Sequence, residues 1–364
     1  MKITLVAGAR PNFMKIAPII HEIKKQQDQG TAISYRLVHT GQHYDKNLSD
    51  TFFDELNIPA PHTNLEVKSG SQATQTGAIM VGFERELQEH PCDLVLVVGD
   101  VTSTMACTIV AKKAHIKVAH VEAGIRSGDL KMPEEINRMV TDSITDYFFT
   151  TSQKATTYLQ SAGHLEEHIF FVGNVMIDTL LHNIKRLRKP EFWEKLALSE
   201  KSYFVLTLHR PSNVDALEDF SILLKKIVAK AKGAPIIFPV HPRTQKILKD
   251  AQLSFENLHY VAPQGYLSFI YLVKNAKAIL TDSGGITEEA SVLNVPCLTF
   301  RNSTERPETL RLGTNKLVGN DPLKIDVAFD TLDQGNWQQS QEIPKWDGKA
   351  ATRIIATLLK LYGN

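Results

Sequence analysis

The chain has 364 residues, which suits two domains of ordinary size, and its 43% hydrophobic and 22% charged content is that of a globular protein. A formal net charge of +1 leaves no global field to gather nucleic acid or a membrane surface, so any anion site has to be local. No apolar run approaches the ~20 residues of a membrane span, and the first one breaks at Gly8-Ala9-Arg10-Pro11, as a strand does and a signal peptide does not.

Hydrophobic periodicity predicts strand Lys2–Ala7, helix Met14–Gln27 with Ile16, Ile19, Ile20 and Ile23 on one side, and strand Ile33–His39. Helical patterns follow at Leu48–Leu56 and Gln72–Gln88. Leu94–Val98 is apolar without a break, which argues burial on both faces and hence a parallel sheet. Helix Thr104–Ala114, strand Val118–Val121, helix Pro133–Asp146, strand Phe148–Thr150, helix Ser152–Ala162 and strand Ile169–Val172 continue the alternation. Pro133 is well placed for a first helical turn. Gly173-Asn174 breaks the series and is the expected hinge; a long helix pattern follows, interrupted at Lys189-Pro190.

A second series begins at strand Tyr203–Leu208. It runs through helix Ala216–Ala231, strand Ile236–Val240, helix Thr244–Lys249, strand Leu258–Val261 and helix Leu267–Val273 to the strand at Ala278. Ala350–Tyr362 closes the chain as an amphipathic helix. The expected architecture is α/β: two Rossmann-like doubly wound domains facing a cleft. The first is 1–172, with a closing helix at about 346–364 packing back on it; the second is 173–345. Cys92, Cys107 and Cys297 lack CxxC spacing and read as reduced, packed thiols of a cytoplasmic protein.

The stretch richest in chemistry is Ala278–Ala290. An apolar strand ends in Thr281-Asp282-Ser283-Gly284-Gly285 and a helix pattern follows. Ser283 is expected to cap that helix. Gly284 and Gly285 let backbone N–H groups approach an anion with no Cβ in the way, and a helix N-terminus attracts phosphate. Glu288 and Glu289 repel phosphate and suit the two hydroxyls of a ribose. A nucleoside diphosphate fits this stretch, and so does an ordinary strand-to-helix turn with a polar cap. At the first strand's end GxGxxG and the Walker lysine pattern are absent, and two cations, Arg10 and Lys15, stand instead.

Asp100, Glu122 and one of Glu134 or Glu135 emerge from the strand ends where parallel sheets place sites. Several carboxylates on one rim suit acid/base chemistry. Asp100 also fits a helix cap, and Glu134 and Glu135 fit the positive end of a helix; for Glu135 that reading prevails. Leu208-His209-Arg210-Pro211 and Val240-His241-Pro242-Arg243 end successive strands, where His beside Arg suits an anion or a proton transfer. No HExxH or other spaced ligand set is present, so no catalytic metal is expected.

Taken together these residues resemble the non-hydrolysing UDP-N-acetylglucosamine 2-epimerases over nearly the whole chain. The resemblance runs through Gly8–Lys15, Thr40–His43, Gly99-Asp100, His120–Ser127, Pro133–Arg138, Gly173-Asn174, Leu208–Arg210, His241–Arg243, Thr281–Ala290 and Thr304–Glu308. It implies a GT-B-type fold and interconversion of UDP-GlcNAc and UDP-ManNAc without nicotinamide or another cofactor. The implied chemistry is anti-elimination of UDP to 2-acetamidoglucal and re-addition. By matching position, it implies Arg10, His209, Ser283, Gly284 and Gly285 on the diphosphate, Glu289 on the ribose and Phe269 near the uracil. Lys15 and Arg306 fall among the substrate-binding positions, and Asp100, Glu122 and Glu134, with His209, among the catalytic ones. Because Arg10 and Ser283 lie in different halves, UDP is expected to bridge them.

Gln42–Asn47 and Gly70–Ala73 depart from the pattern of relatives activated by a second UDP-GlcNAc. His43–Asp45 and Met132–Asn137 also resemble epimerases of UDP-2,3-diacetamido-glucuronate, whereas Thr304–Glu308 leans to UDP-GlcNAc. A GT-B glycosyltransferase or a non-catalytic nucleotide-sugar sensor are the other classes this fold would allow. The expected partner is the UDP-sugar, with neither nucleic acid nor membrane, in a homodimer.

Overall fold

The computed structural model describes residues 1–41, 53–208, 217–240, 245, 248, 251 and 253–363. The chain forms two compact units, Met1–His182 with Pro344–Asn364, and Asn183–Ile343.

The first unit is built on strands β1 (Lys2–Ala7), β2 (Ser34–His39), β3 (Thr63–Asn64), β4 (Leu94–Val98), β5 (Lys117–Val121), β6 (Tyr147–Thr150) and β7 (Ile169–Phe171). They form one parallel sheet in the order β3-β2-β1-β4-β5-β6-β7. Every residue of β4 is buried, as its unbroken apolar run requires. Burying each such Val or Leu is worth about 1.5–3 kcal/mol. The helices are α1 (Arg10–Asp28), α2 (Gln72–Glu89), α3 (Thr102–Lys113), α4 (Pro133–Ile144), α5 (Gln153–Ser161) and α6 (Val175–Asn183). β1 lies between β2 and β4, so the order reverses there and the loops after β1 and β4 leave the sheet side by side.

In the second unit a short helix, α7 (Phe192–Lys195), precedes β8 (Phe204–Thr207), α8 (Leu217–Lys230), β9 (Ile236–Pro239) and β10 (Leu258–Val261). Then come α9 (Tyr266–Asn275), β11 (Ala278–Thr281), α10 (Ile286–Val292), β12 (Cys297–Thr299), α11 (Pro307–Arg311), β13 (Asn315–Leu317) and α12 (Pro322–Asp333). Its parallel sheet has the order β10-β9-β8-β11-β12-β13, with the reversal between β8 and β11. Phe204, Leu206, Phe238, Leu280 and Phe329 lie in one core cluster of this sheet and Val205, Ile237, Ile279 and Val295 in another.

The last helix, α13 (Ala350–Tyr362), belongs to the first unit. Asp178 of α6 accepts the Ala350 and Ala351 N–H groups at 3.1 and 2.7 Å, and Thr352 donates to the buried Glu22 of α1 at 2.9 Å. Among the described residues no helix is long and apolar enough to cross a membrane. The three cysteines are free thiols; burial pushes Cys107 up, and Cys297 to about 12, as inert packed groups.

Candidate active site

The rim at the reversal of the first sheet is tied by side chains where the strand ladder stops. Asn12, in the first turn of α1, accepts the Gly8 and Ala9 N–H groups at 3.0 and 2.9 Å and donates to the Val98 carbonyl at 3.2 Å. Gly99 follows with φ +68°, a conformation that calls for glycine, and Lys15 Nζ lies close by, 2.8 Å from where a Cβ would stand. Lys15 of α1 forms an ion pair with Glu122, which directly follows β5, buried and at φ +77°, unusual for a residue with a side chain. Non-glycine strain of this kind persists where the surroundings over-determine it.

α4 supplies the other half of the rim. Arg138 pairs with Asp100 and, at 2.9 Å, with Glu135; Asn137 donates to the Asp100 carbonyl at 2.9 Å. Asp100 therefore does not cap α3, whose N-cap is Val101 without a side-chain bond. Glu135 accepts Ser127 N, Ser127 Oγ and Gly128 N at 2.9, 2.9 and 3.1 Å. Burial alone would raise its carboxyl, but those N–H groups, the hydroxyl and Arg138 outweigh burial and hold it below the usual range. Glu135 is thus committed to structure. Glu134, one residue earlier, is half-buried and has no ion-pair partner among the described residues.

In the second unit β11 ends at Thr281, whose hydroxyl meets that of Thr207 at 2.6 Å and accepts Ser283 N at 2.9 Å. Gly285, not Ser283, is the N-cap of α10, and no side chain caps it. A Cβ on Gly284 would press on Arg301 Nη1 at 3.3 Å, while one on Gly285 would meet nothing within 4 Å. Arg301 forms a two-point pair with Glu305, at 2.9 and 2.7 Å, behind Gly284. Glu288 and Glu289 are both buried in the first turn of α10. Glu288 pairs with Arg306, and Glu289 accepts the Tyr266 hydroxyl at 3.0 Å. Burial raises Glu289 to about 8, the neighbouring Glu288 adding to it and the Tyr266 hydrogen bond opposing it.

Arg10 opens α1, half-buried, and Phe269 sits half-buried on α9 against the core. His209, Arg210, His241, Arg243 and Gln42–Asn47 lie outside the described residues.

A family profile described as UDP-N-acetylglucosamine 2-epimerase matches residues 25–359. The UDP-N-acetylglucosamine 2-epimerase of Methanococcus maripaludis is 43% identical, over 97% of each chain. That of Methanocaldococcus jannaschii is 41% identical, over 98% of this chain and 99% of its own. The chain belongs to the UDP-N-acetylglucosamine 2-epimerase family. A solved structure of the Methanocaldococcus jannaschii enzyme in complex with UDP-GlcNAc and UDP has a TM-score of 0.87 at 40% identity, covering 99% of this chain and 100% of that one. The UDP-2,3-diacetamido-2,3-dideoxy-D-glucuronate 2-epimerase of Pseudomonas aeruginosa is 36% identical over 99% of this chain and 100% of its own.

Membership makes the chain an isomerase with two parallel-sheet α/β domains. Arg301 and Asp142, both charged and buried in ion pairs, were not singled out in the sequence. Arg301 follows the end of β12, the placement that singled out Arg10, so the same rule would have found it. Asp142, buried against His120 and Arg126, lies inside a helical pattern and carries no local signal.

Proposed function

We propose that this family member interconverts UDP-N-acetylglucosamine and UDP-N-acetylmannosamine by anti-elimination of UDP to 2-acetamidoglucal and re-addition with the other configuration at C2. The observation that carries the reading is the set of three acids on the first rim. Asp100 and Glu122 each meet a cation, Arg138 and Lys15, while Glu134, one turn before Arg138, has no ion-pair partner among the described residues. The C2 proton is not acidic, so its removal needs a positioned base acting together with stabilisation of the leaving group. Asp100 and Glu122 are the candidates to take protons, and Glu134 is the carboxyl without a competing cation. Arg10, His209, Ser283, Gly284 and Gly285 would serve the diphosphate, Glu289 the ribose and Phe269 the uracil, with Lys15 and Arg306 as further substrate-binding residues. The relatives at 41–43% identity carry the UDP-N-acetylglucosamine name and favour that sugar over the diacetamido-glucuronate of the relative at 36%.

The test is incubation with UDP-GlcNAc alone in D2O, followed by NMR. UDP-ManNAc carrying deuterium at C2 is expected. Product that keeps protium at C2 would reject elimination with solvent-exchanged return. No change without an acceptor would make the protein a transferase or a sensor.

A further inference from the structure

Between β4 and β5 the ladder ends at Val98 and Val121, and Gly99 N still donates to the Val121 carbonyl at 3.0 Å. Beyond that point Glu122 N still donates to the Phe149 carbonyl of β6 at 2.9 Å, but no bond between β4 and β5 keeps the segment carrying Asp100 at its spacing from Glu122. His120 takes over. Its ring is fully buried; Nε2 donates to the Gly99 carbonyl, which can only accept, at 2.8 Å, and Nδ1 faces Asp142 Oδ1 at 2.7 Å. The second oxygen of Asp142 accepts Gly124 N at 3.1 Å and Arg126 Nη1 at 2.7 Å. Arg126 in turn lies over the Tyr158 ring at 4.4 Å. One carboxylate of α4 therefore reaches the backbone just before Asp100, through His120, and the backbone just after Glu122, directly.

We propose that Asp142 and His120 are positioning residues for this reaction, a buried couple that sets the Gly99-Asp100 turn against Glu122 beyond the end of the sheet. The inference rests on the acid/base role given above to Asp100 and Glu122. Stability alone does not account for the couple, because a buried charged pair is often replaceable by apolar groups at no loss. What apolar groups could not do is hold one carbonyl and one N–H on neighbouring segments. Displacing a reacting group by about 1 Å can cost ~10²-fold in rate.

Two substitutions separate the ring's two contacts. The amide nitrogen of His120→Gln can stand where Nε2 does and still donate to Gly99. That of His120→Asn stands where Nδ1 does and leaves the Gly99 carbonyl without its donor. Turnover, KM, UDP binding by calorimetry, melting temperature, and hydrogen exchange of the segment 98–102 by mass spectrometry are measured on both.

The expected result is a kcat lowered ~10²-fold in His120→Asn and several times less in His120→Gln, with UDP affinity within about twofold of wild type in each. Exchange at 98–102 should be faster in His120→Asn than in His120→Gln. If both variants keep wild-type kcat per folded molecule and lose only melting temperature, the couple is structural and the proposal falls. Where His120→Asn does not fold, Asp142→Asn, which leaves the ring in place, should show the same loss of kcat; wild-type kcat there would overturn the proposal. If the wild-type protein does not turn over UDP-GlcNAc, the functional reading fails first. The exchange difference then decides the positioning claim by itself, and equal exchange in the two variants rejects it.

Discussion

Gly285 is a glycine for which the protein itself supplies no reason. Its φ of −68° and ψ of −44° are ordinary helical values, and a Cβ there would enter open space. Gly→Ala at such a position usually stabilises by about 0.4–1 kcal/mol through the unfolded chain. If the space belongs to the diphosphate, a methyl group intrudes on the ligand. Gly285→Ala should therefore keep or raise the melting temperature while UDP affinity falls by roughly tenfold or more, the scale of a 1–3 kcal/mol overpacking cost. Unchanged affinity by calorimetry would remove Gly285 from the site. Glu289 adds a pH dependence. With its carboxyl near 8, much of it is protonated at neutral pH, whereas two ribose hydroxyls call for an acceptor. If Glu289 binds the ribose, the ligand selects the ionised form, so affinity for UDP-GlcNAc should rise with pH up to about 8 and then level. Glu289→Gln should abolish that slope, and a slope that survives the change would assign it to another group.

At the scale of elements, α4 organises the first rim: Asn137 and Arg138 hold Asp100, Glu135 holds the Ser127-Gly128 turn, and Asp142 holds His120. Replacing Arg138 with Met would strand the Glu135 and Asp100 charges, a loss of roughly 3–5 kcal/mol when a buried pair is broken from one side. Urea unfolding of Arg138→Met should read that loss, and wild-type stability in this variant, whose side chain keeps the packing, would mean that Arg138 acts through packing alone. This network was only partly legible in the sequence. The strand cores were, because five-residue apolar runs such as Leu94–Val98 fit little else. Rim placement was, because it follows from strand ends. The cap at Ser283 was misread, because the helix starts two residues later with Gly285 as its N-cap; for Asp100, where a cap was one of two readings, the side chain faces Arg138. β13 was invisible because Asn315-Lys316-Leu317 is three residues with a polar start. α12 did announce itself, with Asp321 before Pro322 at its start, and it went unread because the exposed Leu323 and Val327 blur the stripe of Ile325, Ala328, Phe329 and Leu332. Partners distant in sequence, such as Asp142 for Gly124, leave no local trace at all.

For the whole molecule, the chain must leave the second unit and finish on the first, and Asp178 is the residue that receives it. Its carboxylate caps α13 at two N–H groups, while Lys345 donates to the Phe171 carbonyl at 2.6 Å and Arg353 to that of Val172 at 2.9 Å. Burial raises Asp178 from 3.8 to about 6, against the opposing pull of the Ala351 and Ala350 N–H groups, with Asp347 adding to the rise. A carboxyl that binds its proton more tightly in the folded state favours folding at low pH. Stability from this group is therefore fully present below about 4, is lost as pH rises to about 6, and is level above. Glu289 has the same sign over a wider window, from 4.5 to about 8. Asp142, held low by His120 and Arg126 against burial, has the opposite sign and contributes above its unfolded value. The separate terms are exposed by difference. Asp178→Asn keeps one acceptor and turns a donor toward the other N–H, so it should be less stable than wild type throughout. The gap should narrow as pH rises from about 4 to about 6, because only the wild type loses stability there. Chemical unfolding of both proteins at several pH values reads this directly. A gap that is constant across that range would show that the return helix is held without any proton linkage at Asp178.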